Sequence, residues 1–179
     1  RPSAAWTKDG PRSPGDPIFD SFWARVNEAG IAVVIHAGDS GYNTNGYADD
    51  RFSAAFGRNT GSGAGRPSIR GWSFERAALD YLATLSFDRL FERFPNVRIA
   101  SVENGSEFLP YLFRKLESSA RNLRHYYSEH PAETFRRNVW INPFWEDDLR
   151  EVVGWMGDTR VIFGSDWPHM EGLPDPADV

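Results

Sequence analysis

Four short apolar runs, each set between stretches of helical periodicity, constrain this chain more than any other feature. Residues 31–35 (I-A-V-V-I), 97–102 (V-R-I-A-S-V), 139–142 and 161–163 are dominated by β-branched and other apolar residues. Runs of this kind suit strands buried on both faces rather than half-exposed ones. The stretches between them read as helices. Asp16 as N-cap, Pro17 at the first helical position, the stripe Ile18, Phe19, Phe22, Val26 and a terminating Gly30 predict a helix over 17–29. Residues 73–93 carry Phe74, Ala78, Leu82, Leu85, Leu90 and Phe91 at helical spacing and close at Pro95. Asn104 with Glu107 has the form of a capping box, ahead of a face of Leu109, Leu112, Phe113, Leu116, Ala120 and Leu123, with Pro110 in the first turns. A short helix is expected around 132–136. Another is expected over 147–156, with Leu149, Val152, Val153 and Met156 inward and Gly157 as its stop. Alternation of helix and buried strand predicts a parallel sheet with right-handed crossovers.

In such sheets reactive side chains sit where strands end at their carboxyl termini. The four exits are His36, Glu103-Asn104, Asn142-Pro143 and Asp166, the last after a Gly164-Ser165 turn and before Trp167-Pro168. Asp166 fits two roles, a site carboxylate or a cap of the next turn. An imidazole and a carboxylate from separate strands are what a hydrolytic divalent-metal centre uses, the carboxylate also serving as base toward metal-bound water. A catalytic zinc takes about three protein ligands, so more are required. Glu103, at a strand exit, is the strongest additional candidate. His125 and His130 lie in polar, helix-flanking sequence and read as solvated. His169 fits either a residue orienting Asp166 or a plain loop histidine. No nucleophile elbow, phosphate-binding loop or H-E-x-x-H occurs, and residues 61–65 (G-S-G-A-G) lack the preceding strand of a dinucleotide site.

Residues 1–15 read as loop. Residues 39–71 show no period but hold Tyr42, Tyr47, Phe52 and Phe56, which reads as a lid or an insertion loop. Arg51, Arg58, Arg66 and Arg70 within it suit either a carboxylate-bearing substrate or solubility. A net charge of -5 without a dense basic cluster argues against nucleic acid and anionic membranes as partners. No apolar run approaches the ~20 residues that span a bilayer, and no signal-peptide core is seen. The absence of cysteine excludes thiolate chemistry and agrees with a cytoplasmic location. The chain therefore reads as one unit over 1–179 acting on a small molecule.

Three segments, A-V-V-I-H-A-G, F-P-N-V-R-I-A-S-V-E-N-G-S-E-F-L-P and G-S-D-W-P-H, resemble the amidohydrolase-related metal-dependent hydrolases. That group includes aminocarboxymuconate-semialdehyde decarboxylase and resorcylate decarboxylases. The resemblance runs over roughly residues 15–172 with all four exits in the family's order. It implies a (β/α)8 TIM barrel of which this chain is the C-terminal half, strands five to eight. It also implies His36 as the metal-binding histidine after the fifth strand and Asp166 as the metal-binding aspartate after the eighth. The family's H-x-H is missing, so a fragment is expected, with two further ligands upstream and a divalent metal, zinc, as cofactor. Where many relatives have a histidine at the sixth strand this chain has Glu103-Asn104. Glu103 then becomes the acid or base if burial raises its pKa. The implied function is a metal-dependent hydrolase of a small organic substrate, or a decarboxylase of an aromatic or unsaturated acid. The alternative is a catalytically silent barrel relative used for binding or assembly. Open sheet edges in a partial barrel predict self-association, hence a homo-oligomer.

Overall fold

Asp16 opens the helical part of the chain as its residue type predicts, its carboxylate accepting a hydrogen bond from the Ile18 N–H at 2.9 Å. In the computed structural model, which describes residues 1–38 and 69–168 together with Gly172 and Asp175, this start is one 3-10 turn, Pro17–Phe19. Helix α1, Asp20–Ala29, follows and stops at Gly30, whose φ of 63° is the left-handed conformation that glycine adopts most easily. The preceding segment, expected to be loop, instead forms an antiparallel hairpin of β1, Ala5–Thr7, and β2, Gly10–Arg12. Thr7 closes it by donating its hydroxyl to the Gly10 carbonyl at 2.8 Å. Most of the expected lid or insertion loop, residues 39–68, lies outside the described residues.

Strands β3, Ala32–His36, β4, Arg98–Val102, and β5, Val139–Ile141, form a parallel sheet in that order. Between them run α2, Ile69–Phe87, α3, Leu90–Arg93, α4, Leu109–Asn122, and α5, Pro131–Asn138, with α6, Leu149–Met156, after β5. The single helix expected over 73–93 starts earlier and is broken at Arg89, whose φ of 54° ends α2 and re-aims α3. One sheet face is packed. Ile35, Ile99, Val139 and Ile141 are buried there with Leu82, Leu85, Leu112, Phe113, Leu116 and Phe135 of α2, α4 and α5. Each such side chain is worth roughly 1.5–3 kcal/mol of burial. Asn138, at the end of α5, donates Nδ2 to the carbonyls of Pro95 (2.9 Å) and Val97 (2.6 Å), fixing the helix to the entrance of β4.

Two expectations about the sheet are corrected. Burial on both faces fails for β3, where only Ile35 is buried and Val34, on the opposite face, is 57% exposed. The helices cover the Ile35 face, while on the other Arg160 covers Trp140 of β5 and leaves Val34 of β3 in solvent. The fourth run, 161–163, is not a strand. It contributes one parallel bridge, Val161 to Ile141, with the Ile162 N–H donating to the Ile141 carbonyl at 2.9 Å, and Phe163 is 63% exposed. The architecture expected of strands five to eight of a TIM barrel is therefore replaced, among the described residues, by three parallel strands with helices on one face and an antiparallel hairpin.

Candidate functional site

Parallel register aligns the strand exits. His36 is paired with Val102 across β3 and β4, and the Asn142 N–H donates to the Ser101 carbonyl at 2.9 Å, so the residues after β3, β4 and β5 emerge along one edge. On this edge His36 Nε2 lies 2.8 Å from Glu103 Oε2. Strand alternation alone would send Glu103 to the Ser101 side, away from His36. Its φ of 56° breaks the alternation and turns the chain, at a cost of about 1–2 kcal/mol for a residue with a Cβ. Asp166 has the same left-handed φ of 56°. Strained non-glycine residues at strand exits are a feature that active sites concentrate.

The imidazole has acceptors on both sides. Nδ1 meets the Ala37 carbonyl at 2.9 Å, and a carbonyl oxygen can only accept, so Nδ1–H donates there. Contact between Nε2 and the Glu103 carboxyl then requires a further proton between them, carried by the ring or by the acid. His36, 56% exposed along its side chain, and Glu103, more deeply set, thus form a contact pair open to solvent on one side. A metal ion at Nε2 would take the place of that proton. The donor types suit a divalent cation; their number does not. Among the described residues no group of three or more His, Asp and Glu side chains comes together to hold a metal, so Asp166 does not join His36 and Glu103 in a three-donor centre.

The other candidates separate. His130 caps α5, its Nδ1 accepting from the Ala132 N–H at 3.3 Å and its Nε2 lying 3.4 Å from Glu117. His125 is exposed. His169, Arg51, Arg58 and Arg66 lie outside the described residues, and Arg70 falls at the start of α2. Asn104 is not the cap of α4, which begins after Phe108 without a side-chain cap; it is fully buried, turned beneath the sheet edge. Beside Asp166, Ser165 Oγ accepts from the Trp167 N–H at 3.3 Å.

One residue escaped sequence reasoning. Glu75 of α2 reads as an ordinary polar position, yet its carboxyl sits against Gly105 in the turn after β4. Burial, and then the charges of Glu107 and Asp147, push its pKa up from 4.5 to about 7. Asp147 is itself held by the Ser106 hydroxyl at 2.6 Å and the Phe144 N–H at 3.0 Å. Nothing local marks Glu75, because its partners lie about thirty and seventy residues away.

An imidazole and carboxylates on the carboxyl edge of a parallel sheet, with helices packed behind it, define an α/β protein of the kind whose chemistry sits on strand-exit loops. The chain belongs to the amidohydrolase family, whose pattern matches residues 5–179. It is similar to an amidohydrolase from Mycobacterium avium subsp. paratuberculosis K-10 at 39% identity, with a TM-score of 0.83 over 99% of this chain and 43% of that one. A 5-carboxyvanillate decarboxylase from Sphingomonas paucimobilis (22% identity, TM-score 0.62, 92% of this chain, 47% of that one) shares the fold. So does a dihydroxybenzoic acid decarboxylase from Polaromonas sp. JS666 with bound manganese (18% identity, TM-score 0.62, 92% of this chain, 47% of that one). The chain thus spans about half the length or less of these solved relatives. No curated protein matches it. The family match corrects the expected restriction to a C-terminal half, since it covers nearly the whole chain as one amidohydrolase-like domain. No helix among the described residues is long and apolar enough to cross a membrane.

Proposed function

We propose that this chain carries part of the active centre of a metal-dependent amidohydrolase-family enzyme acting on a small organic substrate, by hydrolysis or by decarboxylation of an aromatic acid. The observation that carries the reading is the His36–Glu103 pair, 2.8 Å apart on the carboxyl edge of the sheet. His36 and Asp166 are the proposed metal ligands of this chain, with further donors from outside the described residues. Manganese in two of the structurally similar decarboxylases supports a divalent cation, zinc being the expectation from sequence. When bound, such an ion would polarise a water or a substrate oxygen. The chain's own contribution is proton handling. Glu103, held beside His36 at the strand edge, is placed to take a proton from water in hydrolysis or to return one to carbon when carbon dioxide leaves. The names of the similar decarboxylases make hydroxylated benzoic acids the first substrates to try.

The test is purification in the presence of manganese or zinc, metal analysis, and turnover on hydroxybenzoates and small esters. Stoichiometric metal that is lost in His36→Ala, and turnover lost in Glu103→Gln with metal retained, are the expected results. A second reading, a catalytically silent relative used for binding, is favoured by the lack of a three-donor group among the described residues. Folded protein with neither metal nor turnover, and indifferent to His36→Ala, would sink the first reading and leave the second.

A further inference from the structure

We propose that Asn104 is the positioning residue of the His36–Glu103 pair, tying together the two strand ends that bring imidazole and carboxylate into contact. The inference rests on the reading of that pair as the working part of the site. Asn104 Nδ2 lies 2.8 Å from the Val102 carbonyl, 3.2 Å from the Ile35 carbonyl and 3.2 Å from Ser101 Oγ. Val102 contributes the peptide that leads into Glu103, and Ile35 the peptide that leads into His36. One buried amide therefore holds both peptides beyond what the strand ladder supplies. Its grip on the Val102 carbonyl, two residues back, also closes the turn in which Glu103 takes its left-handed φ. Such a conformation persists only where its surroundings over-determine it.

The chemistry of the side chain points the same way. Three acceptors surround Nδ2, while Oδ1 is buried with no partner among the described residues. An apolar residue would fill the space without burying a lone acceptor, so the amide is explained by its donors. It touches neither face of the pair itself, and it acts through the backbone.

Ring 15N resonances of histidine report which nitrogen is hydrogen-bonded, and His36→Ala identifies the His36 signal. Glu103→Gln is expected to displace that signal. Asn104→Ala, or Asn104→Asp, which keeps the shape and loses both donors, is expected to reproduce most of the same displacement in folded protein. Val97→Ala, a core lesion at the far end of β4, is expected to lower the melting temperature and leave His36 unmoved. An unchanged His36 signal in a folded Asn104 variant, or an equal displacement in Val97→Ala, overturns the proposal. Should neither Asn104 variant fold, Asn104→Gln, which keeps both donors but moves them one methylene away from the Ile35 and Val102 carbonyls, takes their place, and its failure to shift His36 overturns the proposal equally. If Glu103→Gln itself leaves His36 unmoved, the pair is absent and both readings fall together; movement in Glu103→Gln without movement in Asn104 variants defeats this one alone.

Discussion

Gly105, in the turn after β4, is where backbone conformation and side-chain space coincide most closely, and Gly105→Ala separates them. At φ +67° the residue sits where an L side chain is strained, which costs an alanine about 1–2 kcal/mol. A Cβ there would also fall 2.8 Å from Cε2 and 2.9 Å from Cδ2 of Phe144, and against the Glu75 carboxyl. The carboxyl is the tip of a flexible side chain and can swing aside. The Phe144 ring must move, which adds roughly 1–3 kcal/mol of overpacking, toward the lower end because the ring is only half-buried. The expected loss is therefore about 2–4 kcal/mol, or roughly 4–15 °C in melting temperature for a chain of this size. Urea denaturation followed by circular dichroism measures it. Gly30→Ala, at φ +63° with nothing within 4 Å, isolates the backbone part and should cost about 1–2 kcal/mol. Gly154→Ala, inside α6 with nothing within 4 Å, should instead stabilise by about 0.5–1 kcal/mol through helix propensity. If Gly105→Ala costs no more than Gly30→Ala, the contact between the turn, Glu75 and Phe144 is not tight and the reasoning fails.

Two further outcomes follow from the same structure. Because Glu75 holds its proton more tightly when folded, unfolding releases it between pH 4.5 and about 7, so the native state loses stability as pH rises through that window and the loss is complete above it. Glu75→Gln should therefore raise the urea midpoint at pH 8 and coincide with the parent protein at pH 4; equal midpoints at pH 8 would show that the carboxyl is not disfavoured in its charged form. Asn138→Ala strips the carbonyls of Pro95 and Val97 of their shared donor and should cost roughly 1–3 kcal/mol in the same assay, a loss below 0.5 kcal/mol counting against the tie between α5 and β4.

What the sequence determined by itself is local. Asp16 and Gly30 bound the first helix because a carboxylate at an N-cap and a glycine at a left-handed stop act within one turn. Asp148 caps α6 close to where periodicity put its start, and the order of strands and helices implied a parallel sheet with His36, Glu103 and Asn142 on one edge. Tertiary structure decided the rest, since each outcome depends on groups far apart in the chain. The segment 161–163 has the composition of a buried strand, but ladder hydrogen bonds and cover on both sides set a strand's extent, and here one bridge to Ile141 forms while Phe163 stays in solvent. Asn104 has the spacing of a helix cap, yet the carbonyls of Ile35 and Val102 offered its amide better partners than the turn ahead of it. Glu103 reaches His36 only because its backbone turns left-handed, and Glu75 meets the turn after β4 only through a contact thirty residues away in the chain. Periodicity reports which face of an element is apolar; which polar groups meet is settled by the packing of elements far apart in the chain.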